Sequence, residues 1–510
     1  MLAITKTSAL RGIEGINVTC EVDSSRGLPA FMVVGLGDAA VKEAGERVRM
    51  ALTNEGFDYP KGRVTVNLYP AWIRKKGSHY DLPIAMGMMV LNGTIAQKHL
   101  DNKAFVGELS LEGKIIPVKG IMPMMRSLGE EINEVIVPKG NEKEAFLALR
   151  GTGIRAVGVE DLKEAIDAVK GVKNNICAFQ EVISDSNEGP DFLDVKGNWA
   201  AKEAIVTAIS GGHGLLMIGP PGTGKSMLAR RIPSILPEMT PEEQIETSMI
   251  YSLIGQLTDE RPVINRRPFR KLSSRTTVAA MIGGGTEPVP GEVSLANNGV
   301  LFMDELLEYG RDKIEALRRP LEEKKIIIMR RGVNYVFPAD FIFVAASNPC
   351  KCGYYGDPEK ACVCGARELA SYRSKLSGPL AERIDMCIDL PRIDYTGLTG
   401  TDSQSSEEMR NRVEMAFDIQ KKRFENTEIK RNADMTEAMV KVFCILDNDA
   451  SKMLERAYTK YSLSPRRYYK LLKLSRTIAD LEGETAISQK SIMAALGYVK
   501  QLDLYGKNND

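Results

Sequence analysis

Two hydrophobic periods alternate along the chain and divide it into three parts. In residues 1–170 the two are mixed. Val64, Val66 and Leu68 alternate with polar neighbours as in a strand, while Val41, Ala44, Val48 and Leu52 fall on one face of a helix over 40–54. From 191 to 395 short, fully apolar runs recur at 215–218, 300–303, 341–344 and 386–388. Apolar side chains at every position suit a strand buried on both faces, and such strands alternating with helices predict a parallel sheet. From 409 to 503 the pattern is helical throughout, with a last helix near 488–500. Two stretches lack apolar period, a charged, Asn- and Ser-containing one at 171–190 and a Thr-, Gly- and Ser-rich one at 396–408, and both read as linkers.

Composition narrows the class without choosing a function. The chain has 510 residues, 26% charged and 43% hydrophobic, as in ordinary globular proteins. Its net charge is +1, so any contact with nucleic acid must come from local basic patches. No apolar run approaches the ~18 residues that span a bilayer, and Lys6 and Arg11 interrupt the start where a secretory core would lie. A cytoplasmic protein without membrane partners is expected, with cysteines as thiols or metal ligands.

The run at 215–218 leads into GPPGTGKS: Gly219, Pro220, Pro221, Gly222, Thr223, Gly224, Lys225 and Ser226. This fits the phosphate-loop pattern, set between a strand and a helix start. Glycines let backbone N–H groups close on a triphosphate, and the helix N-terminus adds positive dipole. Lys225 is placed to reach the β- and γ-phosphates and Ser226 to hold Mg²⁺. The run at 300–303 ends in Asp304 and Glu305, the form of a Walker B element. Asp304 would hold Mg²⁺ and Glu305 would polarise the attacking water. The run at 341–344 leads to Asn348, which would place that water. ATP and Mg²⁺ are the cofactors these motifs imply.

Cys350, Cys352, Cys362 and Cys364 form two C-x-C pairs across a short Gly- and Tyr-rich loop. Two close thiolate pairs can complete a tetrahedral Zn²⁺ site, although C-x-C is tighter than the usual C-x₂₋₄-C. The other reading is four reduced, unliganded thiols. Cys20, Cys177, Cys387 and Cys444 are scattered.

Further residues carry a family resemblance nearly end to end. They include Gly27-Leu28-Pro29-Ala30-Phe31, Asp38-Ala39-Ala40-Val41-Lys42-Glu43, Glu46-Arg47-Val48-Arg49, Asp81-Leu82-Pro83-Ile84-Ala85, Val106-Gly107-Glu108-Leu109-Ser110, the phosphate loop, Arg267-Pro268-Phe269-Arg270, Gly291-Glu292-Val293-Ser294-Leu295-Ala296, Asn348-Pro349-Cys350 and Arg476-Thr477-Ile478-Ala479-Asp480-Leu481. The chain resembles the ComM/YifB-like family of magnesium-chelatase-type AAA+ ATPases. The resemblance implies an α/β AAA+ P-loop core, a parallel sheet flanked by helices. It adds an α+β S5/Lon protease-like N-terminal domain and an all-α C-terminal lid. It implies a homohexameric, ATP-promoted ring that moves single-stranded or branched DNA, with branch-migration helicase activity that supports recombination and natural transformation.

The resemblance assigns roles that spacing does not. Arg383 becomes an arginine finger reaching a neighbour's ATP, and Arg466 a sensor touching the γ-phosphate from the lid. A β-hairpin over 324–335, turning near Arg331 and Gly332, is expected to point into the ring pore. Arg330 and Arg331 would then track phosphates, the other reading being an edge guarded by charge. A working Lon-type protease needs a Ser–Lys dyad, and those places hold Asp81 and Met122, with Ser78 and Lys119 only nearby. Proteolysis is therefore not expected, and a DNA-binding or ring-building role is. Arg47, Arg49, Arg74, Lys75 and Lys76 are candidate phosphate contacts. The chain departs from the family where Lys271-Leu272-Ser273-Ser274 replaces a His pair and Asn297 replaces a histidine. Two other readings stand beside the DNA motor, a ring that remodels proteins and a metal-chelatase motor subunit.

Overall fold

The chain begins as a long antiparallel pair. β1 (Leu2–Arg11) and β2 (Glu14–Ser25) run in register from Leu2↔Asp23 to Arg11↔Glu14. The computed structural model describes residues 2–172, 189–376, 380–392 and 403–506, with side chains to 502. Most of both segments read as linkers lies outside the described residues, at 173–188 and 393–402.

The pair is extended by β3 (Ala30–Val34), β4 (Arg63–Tyr69) and β5 (Lys103–Phe105). A two-strand ribbon follows, β6 (Glu108–Leu109) with β7 (Ile115–Ile116), and then β8 (Glu134–Pro138) and β9 (Arg155–Val159). Seven of these form one mixed sheet in the order β3-β4-β2-β1-β5-β8-β9. Its inner face packs on two helices. Ala39–Asn54 starts where the Asp38 side chain accepts the Val41 N–H, and buries Val41, Ala44, Val48 and Leu52. Asp81–Leu91 is buried along almost its whole length, which explains why its sequence shows no polar face.

The second sheet contains β10 (Leu215–Ile218), β11 (Phe269–Leu272), β14 (Val300–Met303), β17 (Ile342–Ser347) and β18 (Met386–Asp389). All are parallel, in the order β11-β14-β17-β10-β18. Four match the apolar runs. The fifth, β11, reads Phe-Arg-Lys-Leu and sits at an edge, so it lacks the two-sided apolar signature of a central strand. Between β11 and β17 lie the short ladder β12 (Gly283–Gly284) with β13 (Val289–Pro290), and the hairpin β15 (Lys325–Arg330) with β16 (Val333–Pro338).

The C-terminal region is helical. Its first helix, Ser406–Arg423, begins inside the segment read as a linker to 408. Ser405 and Glu408 form a capping box there, which fixes the start ahead of the first apolar residue, Met409. The buried Asp480 binds this region together. It accepts hydrogen bonds from Arg423 (2.6 and 2.5 Å), Asn432 (2.8 Å) and Arg476 (3.0 Å). The family-like stretch 476–481 is thus a packing node.

The first domain docks on the second through the helix Pro241–Leu253. Ser252 donates to the Glu144 carboxylate at 2.5 Å and accepts at its carbonyl from Gly120 N–H at 3.0 Å. Burial pushes the Glu144 carboxyl up to about 7, against its bonds to Ser252, Asn141 and Met122 N–H. A carboxyl raised by burial favours the folded arrangement below its free value and loses that contribution as pH climbs from there through about 7. Raising pH from 6 to 8 should therefore increase amide hydrogen exchange across residues 120–126 and 249–255, and Glu144→Gln should flatten the dependence. Equal slopes in both proteins would contradict this account of the contact.

Candidate nucleotide site at the strand ends

Parallel strands put all their C-terminal ends at one edge of the sheet, and the three nucleotide motifs converge there. β10 runs into the phosphate loop, which ends as Gly224 takes φ +86° ahead of the helix Lys225–Arg231. Lys225 Nζ donates to the carbonyls of Gly219 and Pro220 and lies 3.3 Å from Asn348 Oδ1. Burial pulls its ammonium down to about 8, and Asp304 and Glu305 oppose that shift. Ser226 Oγ donates to Asp304 Oδ2 at 2.8 Å. Lys225, Ser226, Asp304 and Asn348, read from three separate motifs, are therefore one constellation. Glu305 follows Asp304 with φ +54°, a left-handed backbone that non-glycine residues seldom adopt, and its side chain is exposed. The Ser226 hydroxyl beside the Asp304 carboxylate is an all-oxygen donor pair, which fits Mg²⁺.

One member of this cluster escaped the sequence reading. Lys271, in a stretch noted only for lacking a family His pair, lies at the C-terminal end of edge strand β11. Its Nζ is 3.0 Å from Asp304 Oδ2. The only signal available was a cation at the C-terminal end of a strand that the apolar pattern did not reveal. Asn297 is structural: buried at the turn before β14, it accepts the Asp340 N–H at 2.8 Å.

Arg383 and Arg466 lie at the other edge. Asp385 N–H and Met386 N–H bond to the carbonyl of Gly214, which precedes β10, so Arg383 stands at the N-terminal ends of the strands. Four strand residues, about 13 Å, separate that edge from the phosphate loop. Arg466 opens the lid helix Pro465–Leu481 and pairs with Glu382 at 2.5 Å. Arg466 was expected to touch the γ-phosphate from the lid; its helix is fixed to the far edge, away from the phosphate loop of the same chain. Lys470, one turn on, donates to Ile384 O at 2.8 Å and pairs with Asp385 at 3.0 Å. Burial raises the Asp385 carboxyl, but Lys470 and His213 outweigh it and hold the group well below the usual range. Arg383 pairs with Glu322 at 2.6 Å, while its Nε has no hydrogen-bond partner among the described residues. Both arginines line an open cleft of about 1170 Å³ between sheet edge and lid.

The hairpin β15–β16 turns on Arg331 (φ +49°) and Gly332 (φ +76°), the two positive values a tight two-residue turn requires. Arg330 and Arg331 are exposed, with no carboxylate partner among the described residues. The basic candidates of the first domain fare differently. Lys75 is buried, its Nζ held by the Pro70 carbonyl. Arg47 makes a two-pronged bond to Asp81 (2.7 and 3.0 Å), and Arg49 pairs with Glu46. Lys76 pairs with Glu287 of the second domain at 3.0 Å. Of the five, only Arg74 keeps an exposed guanidinium with no ion pair among the described residues, so a shared phosphate-facing role for the five is corrected. Asp81 is fully buried under Arg47, and the backbone N–H of buried Met122 faces Ser252 and Glu144. Ser78 bonds to Glu108. The four cysteine sulfurs lie together, all within 4.8 Å of one another. Among the described residues no helix is long and apolar enough to cross a membrane.

Three family profiles match in order along the chain: "Subunit ChlI of Mg-chelatase" over 20–141, "Magnesium chelatase, subunit ChlI" over 191–398, and "Magnesium chelatase, subunit ChlI C-terminal" over 403–499. The chain is 38% identical to the competence protein ComM of Haemophilus influenzae over 99% of both chains. It is 36% identical to the uncharacterized protein YifB of Escherichia coli, over 98% of this chain and 97% of that one. With the magnesium-chelatase 67 kDa subunit of Chlorobaculum parvum it shares 29% identity over 31% of this chain and 23% of that subunit.

A divalent cation held at Asp304 would compete with Lys271 for the same oxygen. The pair is partly exposed, a class worth roughly 0.2–1 kcal/mol. Lys271→Ala should lower the Mg²⁺ concentration for half-maximal binding of a fluorescent ATP analogue about 2- to 5-fold, as read by titration.

Proposed function

The chain belongs to the ComM/YifB-like family of magnesium-chelatase-type proteins, and on that premise we propose that it is a cytoplasmic, ATP-hydrolysing AAA+ ring motor acting on DNA. Its three working parts are 1–170, 191–395 and 409–503. The observation that carries the reading is the division of charged groups between the two edges of the β10 sheet. Lys225, Ser226, Asp304, Glu305 and Asn348 stand at one edge, and Arg383 with Arg466 at the other. One copy cannot bring both sets to one phosphate, whereas the far edge of a neighbour can complete the near edge of the next. Head-to-tail contacts of that kind close into rings.

Within a completed site, Lys225 neutralises charge on the β- and γ-phosphates, and Ser226 and Asp304 hold Mg²⁺. Glu305 takes the proton of the attacking water, which Asn348 orients. Bound Mg²⁺ supplies charge neutralisation across the phosphate oxygens. The neighbour's pair, Arg383 and Arg466, stabilises charge that develops during transfer. The work is spent on single-stranded or branched DNA tracked by Arg330 and Arg331, in a branch-migration role; the Haemophilus relative is named a competence protein. Near full-length similarity to ComM supports this over a chelatase subunit, which covers less than a third of the chain. Ring-driven remodelling of proteins is the second reading, favoured by the exposed Leu28 (89%) and Trp72 (70%) of the first domain. The buried Asp81 and Met122 support a domain without protease chemistry.

At low salt, single-stranded or branched DNA should stimulate ATP turnover, and Arg330→Ala/Arg331→Ala should weaken the stimulation and its salt dependence. Lys225→Ala should lose nucleotide binding. Glu305→Gln should keep binding while turnover falls about 10²- to 10⁴-fold. Mixing Lys225→Ala copies with Arg383→Ala copies should restore turnover, because one type of interface then holds both wild-type halves. Turnover indifferent to every DNA, with a protein client captured despite nuclease, would favour the second reading.

A further inference from the structure

The loop that leaves β17 is long and lacks both regular structure and a core. Residues 348–365 form neither helix nor strand, Val363 is 84% exposed and Tyr355 44%. Loops of this length are seldom ordered without a staple. Some polar ties are present: Arg392 pairs with Asp357 (2.8 Å) and Glu359 (3.0 Å), and Lys360 sits 4.0 Å over the Tyr354 ring. The centre is four sulfurs. Cys350, Cys352 and Cys362 are 3.3 to 3.7 Å apart, and Cys364 Sγ accepts the Cys352 N–H at 3.4 Å.

These spacings discriminate among chemistries. A tetrahedral ion with Zn–S bonds of ~2.3 Å has S···S edges of about 3.8 Å. Disulfides need about 2.05 Å. Sulfurs all within 4.8 Å of one another leave room for one ion and not for a cluster. Cys350 Sγ also accepts the Tyr355 N–H at 3.3 Å, the kind of outer bond that orients a thiolate ligand.

The loop lies on the nucleotide site. Gly353 has φ +88°, and a Cβ built there would stand 2.7 Å from Pro221 Cδ of the phosphate loop and 3.9 Å from Asn348 Cγ. Gly353 N–H bonds to the Cys350 carbonyl at 3.0 Å. The cysteines therefore fix where Gly353 rests on Pro221 and where Asn348 leaves β17.

We propose that Cys350, Cys352, Cys362 and Cys364 hold one structural zinc ion, and that the ion seats this loop on the phosphate loop. The metal site stands alone, and the coupling depends on the nucleotide reading above. Full-length protein purified with reductant should contain about one zinc per chain by elemental analysis. A mercurial reagent should release it. Cys352→Ser/Cys364→Ser should lack it, and Cys444→Ala should keep it. Wild-type protein stripped of metal and titrated with Co²⁺ should show the visible bands of a tetrahedral tetrathiolate, a measurement that does not need the serine variant to fold. Iron in place of zinc, no metal, or two disulfides by thiol counting would overturn the site. Stripping the zinc should slow ATP turnover at least ~10-fold, with recovery on adding Zn²⁺. Gly353→Val should slow turnover while retaining zinc. Unchanged turnover in both cases would overturn the coupling. Protein that carries zinc but neither binds nor hydrolyses ATP would overturn the nucleotide reading and leave the metal site standing.

Discussion

A parallel strand has two unlike ends, and in this protein they divide the charged groups of the second domain. The hydrogen-bonded register of β10 with β17 and β18 holds Gly214 and Gly219 about 16 Å apart on a rigid, fully buried element. Everything at the Gly219 end gathers around Lys225 and Asp304. Everything at the Gly214 end gathers around Asp385, whose partly buried carboxylate binds Lys470 and so places Arg466 beside Glu382 and Arg383. Bending the sheet to unite the two groups would break strand pairing in the core. Joining the two ends by association of copies costs no such pairing.

The first domain shows how packing reassigns residues. Asp81 and Met122 are the residues that the sequence reading set at the places of a Lon-type nucleophile and lysine. Here Asp81 is sealed under Arg47, and the Met122 N–H meets the second domain at Ser252 and Glu144. Through Lys76, the same domain also touches the segment after β12 and stacks on Tyr335 of the hairpin β15–β16. Displacement of the hairpin would therefore be felt in the first domain as well as in the sheet.

Several features that are short in sequence were readable before folding. The phosphate loop, the Asp304-Glu305 pair after an apolar run, the Arg331-Gly332 turn and the two cysteine pairs each lie within a few residues, and local rules fix their shape. The four apolar strands were legible because burial on both faces leaves no polar position. β11 was not, because an edge strand carrying Arg270 and Lys271 has no such signature. The helix start at Ser406 was missed because its signal is a Ser405–Glu408 capping box and not the apolar period.

By itself the sequence determined which local motifs the chain carries: a GPPGTGKS loop after an apolar run, the Asp304-Glu305 pair after another, two C-x-C pairs, and three successive stretches of different hydrophobic period. The tertiary structure decided where each charge could act. It buried Lys75, paired Arg47 with Asp81, brought Lys271 to Asp304, and set Arg383 and Arg466 at the far edge of the sheet. The reason is that backbone motifs are shaped by neighbours in sequence. The partner of a long cationic side chain is chosen by neighbours in space, and those neighbours come from strands and helices tens to hundreds of residues away.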